Sequence, residues 1–153
     1  MALDDDIALL RRIPTFRALG PDGLRVIAIS AEQMHLRSGD TLFEEGEPAD
    51  CAYVVAAGAI RLRKAGSKAD EPNIVRAGSM IGEMALMIET DRPAQATALE
   101  PSTLIRITRG VFMRMLEGEP KAAALLQQFL RDRIGAAVRD LDVVLPRFEQ
   151  PLS

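Results

Sequence analysis

A glycine-glutamate pair at 82–83, an apolar run from Met84 to Ile88 and an arginine at position 92 form a segment whose spacing suits ligand recognition. Glycine has no Cβ, so the backbone at Gly82 can approach a ligand closely. If Glu83 to Met87 makes one helical turn, its free N–H groups point back toward Gly82 and form an anion site. Arg92 would then add a planar, permanently charged fork for a phosphate. The same residues also fit a tight turn, a half-helix and a surface arginine, because one Gly-Glu and one Arg are a short signal.

Composition narrows the other chemistries. His35 is the sole histidine, too few for the several histidines of a cupin-type metal centre. The same shortage argues against Ser-His-Asp or Cys-His catalysis, and Cys51, inside an apolar run, reads as inert core. The chain is therefore not expected to be an enzyme, and neither a metal nor a cofactor is called for. A formal charge of −3 argues against nucleic-acid binding driven by charge alone. One cysteine permits no internal disulfide, which fits a reducing cytoplasm. The opening MALDDDIALL is acidic where a signal peptide would be basic. No apolar run approaches the roughly 20 residues that span a bilayer. With 153 residues and 48% hydrophobic content, one domain with a real core is expected, residues 1–153.

The elements that must position the segment follow from period and punctuation. Residues 4–12 place acids first and Arg11-Arg12 last, the order a helix dipole favours, and Pro14 ends that helix. Pro21-Asp22 opens a second short helix with Leu24, Ile27 and Ala28 at core spacing, so helices occupy about 4–30. From 32 to 108 short strands alternate with glycine corners: 33–36, 41–43, 51–57, 59–63, 73–76, 95–99 and 103–108. This spacing reads as a small barrel or jelly-roll. Helical period returns over about 110–145, as a short helix at 111–117 and a long one from Pro120 to about Leu145; residues 146–153 are a tail. Ala123, Leu126, Leu130, Ile134, Ala137, Leu141 and Val144 step by three or four along the long helix. That stripe fits packing on the barrel in its first half and a homodimer through 121–145 in its second.

Several motifs in order then carry a resemblance. Ile13-Pro14-x-Phe16, Gly39-Asp40-x-Leu42-Phe43-x-x-Gly46, Tyr53-Val54-Val55-x-x-Gly58 and Gly78-x-x-x-Gly82-Glu83 together resemble the cyclic nucleotide-binding domain family. Gly82-Glu83-Met84-Ala85-Leu86, with Arg92 ten residues after the glycine, is similar to its phosphate-binding cassette. The resemblance covers residues 10 to 145 and implies a mainly β fold: an eight-stranded jelly-roll-like β-roll, short N-terminal helices, and a short plus a long C-terminal helix. It implies that Arg92 pairs with the cyclic phosphate, that N–H groups around Met84, Ala85 and Leu86 assist, and that Glu83 accepts the ribose 2′-hydroxyl. Pro93 and Ala94 would complete the ligand contacts. The implied ligand is a cyclic nucleotide, cAMP first and cGMP second. One departure stands out: the family commonly has Thr, Ser or Ala after the arginine, and Pro93 has neither hydroxyl nor N–H. The expected role is that of a stand-alone sensor signalling through its terminal helices to an unidentified protein or by self-association. A roll that has lost the nucleotide and serves as an interaction module is the alternative.

Overall fold

The computed structural model describes residues 2–17, 19–66 and 73–118, and beyond them 120, 121, 123, 124, 128, 131, 132, 143 and 144. Helix α1 (Ala2–Arg11) ends before a 3-10 turn at Pro14–Phe16, and α2 spans Pro21–Ser30 with proline in its first turn. Strands follow at β1 (Glu32–Leu36), β2 (Thr41–Phe43), β3 (Pro48–Ala49), β4 (Cys51–Ala57), β5 (Ala59–Arg63) and β6 (Asn73–Arg76). After β7 (Met80–Ile81) come a second 3-10 turn at Glu83–Leu86, then β8 (Thr90–Asp91), β9 (Gln95–Ala98) and β10 (Ser102–Thr108). Helix α3 covers Arg109–Glu117, and β11 is Val143–Val144.

Two antiparallel sheets enclose one core. One has the order β1-β10-β4-β7-β11, the other β2-β9-β5-β6, and β3 pairs with β8 as a separate ribbon. The unbroken apolar run of β4 is explained by burial on both faces. Cys51, Tyr53 and Val55 point into the roll with Phe43, Leu62 and Leu104, while Ala52 and Val54 point outward under the helices with Phe16, Leu24 and Phe112. β4 turns into β5 at Gly58, whose φ of +96° suits glycine; a Cβ there would stand 2.7 Å from the Pro101 carbonyl oxygen. No helix among the described residues is long and apolar enough to cross a membrane.

One expectation needs an addition and another a correction. Between residues 32 and 108 the described chain forms ten strands, seven within a residue of the ranges read from the sequence and three more. The additions β3, β7 and β8 are two residues long and have no room for an alternating pattern. The long helix, expected to reach Leu145, stops earlier. Residues 120, 121, 123, 124, 128, 131 and 132 are helical, but Val143 and Val144 pair antiparallel with Ile81 and Met80. Two adjacent β-branched residues favour extended backbone, and β7 offers them a sheet edge. Ala123 packs against the helix-covered core. Leu126, Leu130, Ile134, Ala137 and Leu141 lie outside the described residues.

Candidate functional site

The residues singled out in the sequence sit on the chain between β7 and β9. Gly82 leaves β7 in left-handed backbone, φ +84° and ψ +31°, a conformation that glycine adopts freely. It starts the expected turn at Glu83–Leu86, as a 3-10 rather than an α turn. The Ala85 N–H donates to the Gly82 carbonyl at 3.1 Å, and the Met87 and Ile88 N–H groups both donate to the Met84 carbonyl at 3.0 Å. Ala85 and Leu86 are fully buried, and Leu86 joins the core under the helices, so the turn is pinned by its apolar side. Met84 is half-buried. Glu83 is buried too, and its carboxylate accepts the hydroxyl of Thr15 from the first 3-10 turn.

Arg92 follows β8 and is only 5% exposed, far from a surface arginine. Its backbone is fixed on both sides: its N–H donates to the Glu47 carbonyl and its carbonyl accepts the Gly46 N–H, each at 2.8 Å. The side chain reaches back across the roll, where Nη2 donates to the Cys51 carbonyl at 2.9 Å and to Cys51 Sγ at 3.3 Å. The guanidinium carbon lies 4.4 Å from the Phe43 ring centroid and 5.3 Å from that of Tyr53, both cation–π distances. Its other edge faces Gly82, where an added Cβ would stand 2.5 Å from Nη1. No carboxylate among the described residues pairs with it. Among the described residues this buried cation is held by a carbonyl, a thiol and two rings, and an anion placed against it would gain from the missing countercharge.

Phe43, Leu62, Ile81, Gly82, Arg92, Pro93 and Ala94 line one small, partly open cleft of about 10 Å³. Gly82, Arg92, Pro93 and Ala94 are thus brought together. Glu83, Met84, Ala85 and Leu86 are not among the lining residues; the turn follows the lining residue Gly82 and sends Leu86 to the helix-covered core. Pro93 is exposed at the rim, and Ala94 is buried. Tyr53, inside the roll beside Arg92, has its hydroxyl pKa pushed up from 10.0 to about 12, by burial first and then by a hydrogen bond with the Cys51 side chain. Glu89 and Asp91 face away into a second groove shared with Pro48, Ala49, Asp50, Thr90 and Arg109. Their charge does not line the cleft.

Sequence reasoning missed the aromatic pair around Arg92, which only strand pairing brings together. It also missed Arg109, which donates to carbonyls of the 3-10 turn and of β3. One local signal was present: a cation in the first turn of a helix opposes the dipole, costing about 0.3–1 kcal/mol unless it has other work.

The sequence profile described as the cyclic nucleotide-binding domain matches residues 33–119. The cyclic AMP receptor protein of Thermus thermophilus is 30% identical over 140 residues, which cover 90% of this chain and 63% of that protein. The lysophospholipase nte1 of Aspergillus fumigatus is 26% identical over 143 residues, 90% of this chain but 9% of that protein. The solved structure of a cyclic nucleotide-binding-like protein from Brucella abortus is 42% identical, with a TM-score of 0.67, and the match covers 74% of this chain and 99% of that one. The chain thus spans less than two thirds of the length of these curated relatives.

Proposed function

This chain belongs to the cyclic nucleotide-binding domain family, and from that membership we propose that it binds a cyclic nucleotide, cAMP before cGMP, as a regulatory signal rather than a substrate. The observation that carries the proposal is Arg92: buried, preset by its backbone and two rings, beside the Cβ-free face of Gly82, and without a carboxylate partner among the described residues. A cyclic phosphate bears one negative charge and matches a guanidinium edge through two parallel bonds. Pro93 and Ala94 would pack against the sugar-phosphate. Backbone from Glu83 to Leu86 would complete the cradle, Glu83 reaching a ribose hydroxyl by sharing or leaving its bond with Thr15. The similarity to 9% of a lysophospholipase supports no claim to that enzyme's chemistry. The output, in this proposal, passes through the C-terminal helices to a protein partner or to a second copy of the chain. Light scattering with and without cAMP tests the last point, and an unchanged monomeric mass rejects self-association.

Calorimetric titration with cAMP and cGMP, on the wild type and on Arg92→Ala, tests the binding. Micromolar affinity for the wild type is expected, with a loss of roughly 2–5 kcal/mol, about 30- to several-thousand-fold, in the variant. No heat up to millimolar nucleotide rejects the proposal. A second reading, a roll that acts as an interaction module, draws on two observations: Pro93 offers no N–H, and the Glu83 carboxylate is directed at Thr15. One missing neutral hydrogen bond is worth about 0.5–1.5 kcal/mol, enough to weaken binding but not to abolish it.

A further inference from the structure

We propose that Thr15 determines specificity at the sugar, acting through Glu83: by holding that carboxylate it makes recognition nearly indifferent to the ribose 2′-hydroxyl. The inference rests on the cleft being the nucleotide site. Among the described residues that line the cleft, Arg92 alone has a polar side chain; Phe43, Leu62, Ile81, Pro93 and Ala94 are apolar, and Gly82 has no side chain. Such a lining suits one anionic group set in an apolar frame. It offers a sugar hydroxyl no side-chain acceptor. Glu83 directly follows the lining residue Gly82, but it is 2% exposed and its carboxylate accepts the Thr15 hydroxyl.

Thr15 does not give up that bond without cost. It is fully buried in the 3-10 turn at Pro14–Phe16, which is closed by the Phe16 N–H on the Ile13 carbonyl at 2.9 Å and the Arg17 N–H on the Pro14 carbonyl at 3.2 Å. Proline fixes the first φ of the turn, and a β-branched side chain has few rotamers, so the hydroxyl cannot swing to solvent while the turn stays closed. A ribose hydroxyl that takes the carboxylate outright therefore orphans a buried donor, which costs about what the new bond returns. Sharing spreads one negative charge over two donors and weakens each bond. Against a carboxylate not already held, the same hydroxyl would be worth about 10- to 150-fold in affinity. The competition leaves most of that unrealised. Affinity then comes from the cyclic phosphate at Arg92 and from apolar contact, and the sugar is read weakly.

Calorimetric titration of the whole chain with cAMP and with 2′-deoxy-cAMP, in the wild type, Thr15→Val and Thr15→Ser, tests the competition. In the wild type the two affinities are expected to agree within about tenfold. Thr15→Val removes the competing donor, so the preference for cAMP is expected to rise by about tenfold or more over the wild type. Thr15→Ser should return it to the wild-type value. Lost packing or stability would weaken both ligands together and leave their ratio unchanged, so the ratio separates specificity from a structural role. A wild-type preference for cAMP above about tenfold overturns the proposal, as does an unchanged ratio in a folded Thr15→Val protein. Should Thr15→Val fail to fold, Thr15→Ala takes its place under the same criterion. No heat with either ligand in the wild type rejects the nucleotide reading and this one with it, whereas the other failures leave that reading standing.

Discussion

Gly82 and Arg92 constrain each other at the level of single atoms. The left-handed backbone at Gly82 and the guanidinium 2.5 Å from its missing Cβ admit no side chain without moving the arginine. Gly82→Ala is expected to lose about 1–2 kcal/mol of stability from backbone strain alone, measured by urea unfolding, and to weaken cAMP by tenfold or more on titration. Full retention of affinity would separate the arginine's position from the glycine. Tyr53 gives a pH test. Its neutral form is favoured in the fold, so the folded state holds a proton that the unfolded state releases above about pH 10. Stability should be constant below pH 10 with respect to this group and fall between 10 and about 12, with tyrosinate absorbance appearing only near 12. Tyr53→Phe should remove that part of the decline. Residue types and spacing made Gly82 and Arg92 legible in the sequence. The direction of the Glu83 side chain was not, because it depends on Thr15, 68 positions away.

Among the elements, legibility followed length and punctuation. β2, β4, β5 and β6 fall where Thr41–Phe43, Cys51–Ala57, Ala59–Arg63 and Asn73–Arg76 were expected, each being a run bounded by turn residues or glycine. β3, β7, β8 and β11 were not foreseen, since two-residue ladders are set by their partners rather than by pattern. The 3-10 turn at Pro14–Phe16 does more than end α1. Through Thr15 it reaches the Glu83 carboxylate, so the N-terminal helices and the Gly82 turn share a buried polar contact. Thr15→Val keeps the shape and removes the donor, and it is expected to cost about 1–3 kcal/mol in chemical denaturation. Thr15→Ser should restore most of it. A Thr15→Val protein as stable as the wild type would show that the carboxylate is satisfied without Thr15.

The whole molecule is built on two apolar clusters that meet at β4 and β10. One lies inside the roll; the other lies between the roll and the helices. The candidate segment belongs to both, Leu86 to the second and Ala94 to the first. A ligand bound across Gly82, Arg92 and Ala94 therefore stabilises the cooperative unit rather than a loop. At a hundredfold excess over its dissociation constant, cAMP should add about 2.7 kcal/mol and raise Tm by about 5–10 °C. Arg92→Ala should show no such rise. A shift of equal size in the variant would place the nucleotide somewhere else on the molecule.

The chain contains no tryptophan, and Tyr53 is its only tyrosine. That single ring lies 5.3 Å from the guanidinium of Arg92. The protein thus has a natural fluorophore at the site of interest with no brighter residue to mask it. Any anion that approaches Arg92, or any movement of that side chain, alters the field at the ring, so emission from the unlabelled protein can be followed directly. The scarcity of aromatic residues, which left most of the core to aliphatic side chains, makes the site optically addressable.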